Sequence, residues 1–76
     1  MARKFDNALF AESLKEIRVH QVRITQEELA NRSGIDKNSI ARYETGGTTP
    51  GFDMVVALST ALGVTPNDLY PAFTAD

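Results

Sequence analysis

The sequence predicts an all-α fold of five short helices in a single domain. Three observations carry this: apolar residues recur at helical spacing, start and stop residues punctuate them, and no convincing strand appears. The 76 residues leave room for one domain, so a fused sensor or cleavage domain is not expected. A domain of this size buries only roughly 60% of the surface its unfolded chain exposes. It contains no Cys, so no disulfide or thiolate–metal staple assists it, and helix packing or dimerisation must compensate. The apolar share of 42% is that of an ordinary globular protein. Uninterrupted apolar runs are only a few residues long, which predicts no membrane span, no signal peptide and a cytoplasmic location.

Residues 1–5, with Arg3 and Lys4, read as a flexible arm, residues 6–73 as the domain and 74–76 as a tail. Asp6 is suited to cap a first helix with the apolar stripe Leu9, Phe10, Leu14 and Ile17, fading between Val19 and Arg23. Thr25 and Glu28 have the spacing of a capping box, in which each side chain satisfies a backbone N–H of the other. That second helix buries Leu29 and Ala30 and stops at Ser33-Gly34, where glycine adopts the left-handed conformation at little cost. Asp36 then caps a third helix running through Ile40 and Tyr43. Residues 46–51 form a Gly/Thr/Pro loop. A fourth helix runs from about Phe52 to Leu62 and closes at Gly63. Thr65-Pro66 starts a fifth, with Leu69, Tyr70 and Phe73 ending the chain on an apolar note.

The net charge of −2 speaks at first against a polyanionic partner, but it is unevenly distributed. All eight Lys and Arg lie in residues 1–42 with six acids, a net of +2, whereas residues 43–76 hold four acids and no Lys or Arg, a net of −4. Chance could produce this in a short chain; so could a protein that turns one end toward a polyanion.

The informative stretch is Ile24 to Gly46. Two short helices joined by a turn of about four residues must cross steeply. Ala30 permits close approach, Gly34 makes the turn and Ile40 plugs the crossing; that spacing is the helix-turn-helix pattern. At 100° per residue, Lys37, Asn38, Ala41 and Arg42 share one face of the third helix, with Ile40 and Tyr43 outside it. Arg and Lys match guanine O6 and N7, Asn matches adenine N6 and N7, and the Ala41 methyl suits a thymine methyl. A merely solvated helix face would show the same groups; following the Ala-Gly-Ile spacing, they favour double-stranded DNA.

Ile24 to Tyr70 resembles the lambda-repressor-like helix-turn-helix family, also called XRE or Cro type. The similarity continues past the motif, through Gly46-x-x-x-Pro50 and Leu58-x-x-x-Leu62-Gly63-Val64-Thr65-Pro66-x-Asp68-Leu69. The resemblance implies base reading by Lys37, Asn38, Ala41 and Arg42. It implies phosphate contact or bracing by Thr25, Gln26, Ser39 and Thr48, and a structural pair of Arg18 with Glu44. Gln26 is also simply a good helix former beside a cap. Two departures stand out. Gly47-Thr48-Thr49 replaces a loop that often carries Lys or Arg, which predicts a shallower salt dependence. The link between the first two helices is about one residue longer than usual, with Arg23 where Gly is common.

The resemblance also implies a dimer on a palindromic site, with recognition helices roughly 34 Å apart. Met54, Val56, Ala57, Tyr70 and Phe73 are the candidate interface; packing inside one subunit is the alternative. An antitoxin or other interaction module, whose acidic half binds a partner protein, is a second reading and does not exclude DNA binding. An enzyme is not expected: His20 has no partner at metal or catalytic spacing, and no phosphate-binding glycine loop or isolated carboxylate pair occurs. No cofactor or metal is expected.

Overall fold

The computed structural model describes residues 4–71. Among them the chain forms α1 (Asn7–Glu16), a π-helical segment (Ile17–Val22), α2 (Gln26–Ser33), α3 (Lys37–Thr45), α4 (Phe52–Leu62) and α5 (Pro66–Leu69). Phe73, one of the interface candidates, lies outside these residues.

The α1 start is set by Asp6, whose carboxylate accepts the Leu9 N–H at 3.0 Å. Its backbone N–H donates to the Tyr70 hydroxyl at 2.8 Å, tying the first helix to the end of the fifth. Phe10, Leu14 and Ile17 face the core, Phe10 and Leu14 being fully buried. Leu9, expected in that stripe, is 37% exposed. It precedes Phe10 by one residue, about 100° round the helix, and so leaves the packed face. Phe5 does not behave as part of the flexible arm expected over residues 1–5, of which 1–3 lie outside the described residues. Its ring stacks on Tyr70 at 4.3 Å and lies 5.5 Å from Phe10.

Where the first helix was expected to fade, it widens instead. The π-helical turn from Ile17 to Val22 holds one more residue than an α-turn would, which accommodates the long link. It ends on Arg23 at φ 63°, ψ 50°, with the Arg23 and Ile24 N–H groups both donating to the Arg18 carbonyl.

Thr25 caps α2, its hydroxyl accepting the Glu28 N–H at 3.0 Å. The reciprocal half of the expected capping box is not formed, because the Glu28 carboxylate accepts instead from Arg32 Nε at 3.0 Å. Both halves form one helix later. Thr65 Oγ1 accepts from the Asp68 N–H, and Asp68 Oδ2 accepts from the Thr65 N–H, each at 3.1 Å. The α2–α3 turn closes through Gly34 at φ 73°. Ile35 fills its underside, its N–H donating to Ser33 Oγ at 3.1 Å.

The core gathers Phe10, Leu14, Ile17, Leu29, Ile35, Ile40, Tyr43, Val55, Leu58, Leu62, Leu69 and Tyr70, with Ala30 packed partly buried against it. Helix α3 packs on α1 and α2, while α4 lies against α2 and α5. Among the described residues no helix is long and apolar enough to cross a membrane.

Candidate nucleic-acid interface

The short helix α3 is divided lengthwise. Ile40 and Tyr43 point into the core, and Tyr43 meets Phe10 edge-on at 6.3 Å. Lys37, Asn38 and Arg42 are exposed on the other side, with Ala41 and Ser39 half-buried at its margins. Burial of the first set fixes the helix's rotation and thereby aims the second set outward. Asp36 caps the helix, accepting the Ser39 N–H at 3.2 Å. Neither the Lys37 ammonium nor the Arg42 guanidinium is engaged in an ion pair among the described residues. The Arg42 carbonyl, by contrast, is occupied by Thr45 Oγ1 and the Gly47 N–H, both at 3.0 Å. The far end of α3 is thus fixed while its cationic side chain stays available.

A buried polar clamp sets α3 relative to the segments beside it. Arg18 grips Glu44 through two parallel bonds, Nε to Oε2 at 2.5 Å and Nη2 to Oε1 at 2.9 Å. Its third nitrogen, Nη1, donates to the Ile24 carbonyl at 2.8 Å. Gln26 Nε2 completes the cluster, donating to Glu44 Oε1 at 3.0 Å. The Arg18 and Glu44 side chains are only 11% and 3% exposed. The hydrogen bond to Glu44 holds the Arg18 guanidinium above the usual arginine range, outweighing burial, so it remains charged. The π-helical turn, the start of α2 and the last turn of α3 therefore meet at one bidentate ion pair.

The remaining phosphate candidates surround this frame. Thr25 is exposed at the start of α2, and Gln26 beside it is half-buried and held by Glu44. Thr48 is half-buried in the α3–α4 loop, and its neighbour Thr49 anchors the loop by donating to Asn7 Oδ1 at 2.9 Å. Arg32 is paired with Glu28.

The candidate interface residues divide. Val56 is 38% exposed on α4, whereas Met54 and Ala57 are partly buried and packed on the core. Tyr70 is corrected: at 5% exposure it belongs inside the subunit, stacked on Phe5 and hydrogen-bonded to Asp6. Sequence reasoning missed Phe52, which at 70% is the most exposed large apolar residue described. Helical rotation places it only about 60° from the buried Val55. Its position in the first turn, next to the loop, leaves it uncovered, which no pattern along α4 signals.

The helix-turn-helix family HTH_3 matches residues 14–69, which contain the clamp, both helices of the motif and most of the core. The control protein C.BamHI of Bacillus amyloliquefaciens is 33% identical over 61 residues, spanning 80% of this chain and 75% of that protein. The restriction-modification controller C.AhdI of Aeromonas hydrophila superposes with a TM-score of 0.80 at 31% identity, over 86% of this chain and 97% of its own. The P22 c2 repressor, solved in complex with a synthetic operator, superposes with a TM-score of 0.72 at 30% identity, over 80% and 91%.

Proposed function

We propose, from the premise that this chain belongs to the HTH_3 helix-turn-helix family of DNA-binding regulators, that it reads a palindromic operator as a dimer and controls transcription. The observation that carries the reading is the split of α3. Ile40 and Tyr43 are locked in the core, and Lys37, Asn38 and Arg42 stand exposed on the opposite side, without an ion-pair partner among the described residues. A major groove about 12 Å wide accepts one helix, and Arg or Lys to guanine and Asn to adenine are the bidentate contacts it rewards. Ala41 lies between them as an apolar contact. Thr25, Gln26, Ser39 and Thr48 supply hydroxyl, amide and backbone donors to the flanking phosphates.

One helix of nine residues reads only a few base pairs, too few to select a site among the competitors in a genome. Two copies related by a two-fold axis double the site. Val56 and Phe52, an exposed apolar pair four residues apart on α4, supply the centre of an isologous contact, with Met54 and Ala57 beside them. α4 carries a single charged residue, Asp53, so the centre of such a contact brings few like charges together. The likeness to C.BamHI and C.AhdI supports a controller-type regulator in preference to a stand-alone interaction module.

Selection from a random duplex library at moderate salt is the direct test. A palindromic consensus with half-sites about 10 base pairs apart is the expected outcome. A folded protein that recovers no consensus overturns the reading and turns attention to a protein partner. For the interface, Phe52→Ala is expected to loosen the dimer by about 1–2 kcal/mol, close to tenfold, while leaving the melting temperature of the monomer almost unchanged. Sedimentation equilibrium of parent and variant decides this; equal dimer constants would remove Phe52 from the interface.

A further inference from the structure

Arg23 is the single residue other than glycine with a positive φ among the described residues, at 63°. A side chain in this conformation costs roughly 1–2 kcal/mol that glycine avoids. The surroundings hold it there firmly. Its N–H and that of Ile24 both donate to the Arg18 carbonyl, and the Ile24 carbonyl accepts from Arg18 Nη1 at 2.8 Å. Because the same guanidinium grips Glu44 in the last turn of α3, the backbone at residue 23 is fixed relative to the recognition helix. Two residues later stands Thr25, the cap of α2. Local geometry therefore argues for glycine, yet a long cation occupies the position, exposed and without an ion-pair partner among the described residues.

The distribution of usable cations explains why that matters. Between residues 18 and 42 the arginines at 18 and 32 are neutralised by Glu44 and Glu28. Arg23, Lys37 and Arg42 are the three left uncommitted there, and the latter two lie on the face that enters the groove. The loop after α3, Gly47-Thr48-Thr49, brings no charge to the backbone at all. We propose that Arg23 is a phosphate-binding residue, anchoring each subunit to the DNA backbone beside the groove that α3 occupies. The left-handed turn at the end of the π-helical segment is then the device that presents it. Strained backbone conformations cluster at ligand-binding sites, where the surrounding structure holds them in place.

This rests on the DNA-binding reading above, and the experiment separates the two. Arg23→Gly and Arg23→Lys are compared with the parent on the selected operator duplex, over a range of salt concentrations. Arg23→Gly is expected to melt at or above the parent's temperature while binding about tenfold more weakly. Its slope of log K against log salt should be shallower by about one for each bound subunit, equally for operators of altered sequence. Arg23→Lys keeps the charge and should restore most of the slope. A glycine variant that binds with the parent's affinity and slope overturns the proposal, as does a loss confined to one operator base pair. A parent that binds no duplex overturns the DNA-binding reading itself and this inference with it.

Discussion

Glu44→Ala is expected to lower the folding stability by about 3–5 kcal/mol, a large part of what a domain of this size possesses. The carboxylate accepts three hydrogen bonds, two from Arg18 and one from Gln26. Its removal leaves a guanidinium that is 11% exposed with only the Ile24 carbonyl as partner. The cost is chiefly that uncompensated charge, since water cannot reach it freely. For a domain of 60–100 residues each kcal/mol corresponds to roughly 4–8 °C, so a fall in melting temperature of more than about 12 °C is expected. Urea denaturation of Glu44→Ala, Arg18→Met and the double variant tests the cause: the double variant should recover much of the loss, because it also removes the stranded charge. A loss below about 1 kcal/mol for Glu44→Ala would put the pair among ordinary surface ion pairs. The Arg18 value is raised, so what this group contributes is fully present below the ordinary arginine range and is lost only as pH rises above it. On that account alkaline titration up to about pH 10 should leave the arginine side of the clamp intact.

Arg42→Ala is expected to act on DNA and hardly at all on folding. Its side chain is exposed and makes no ion pair among the described residues, so the change in stability should stay within about 0.5 kcal/mol. On the selected operator it should cost about 1–3 kcal/mol per subunit and relax the preference at one base pair in each half-site. Because a dimer makes the contact twice, the combined loss on a palindrome exceeds that of any single phosphate contact. Binding isotherms on the consensus and on operators substituted at each position resolve this. A variant that binds as the parent does would exclude Arg42 from base reading, and a uniform loss across all operators would make it a backbone contact. The pattern is the opposite of the one expected for Arg23→Gly, which weakens all sequences alike.

The helices, their caps and most of the buried residues were legible in the sequence, because each depends on neighbours within about four positions. Asp6, Thr25, Asp36 and Thr65 act on N–H groups three residues away. The rotation of α3 was readable for the same reason. Ile40 and Tyr43 define one side of a helix, and Lys37, Asn38 and Arg42 follow on the other. Glu28 shows the limit of local patterns. Its spacing suits both a capping box and a pairing with Arg32, and the structure takes the second.

Composition and periodicity by themselves determined an all-helical domain with a motif of two crossed helices and an exposed polar face on the second. Tertiary packing decided what stands around that face. Phe5 lies on Tyr70, 65 residues away, so a residue read as part of a loose arm packs against the core and one read as an interface element belongs to it. Arg18 and Glu44, a pair that only the family resemblance implied, meet across 26 positions where the π-helical segment packs beside the end of α3. Phe52 is left bare at the start of α4 although its helical angle lies near the buried stripe. The division has one physical cause. Backbone hydrogen bonding and capping are short-ranged along the chain, whereas burial depends on which distant elements happen to close over a side chain.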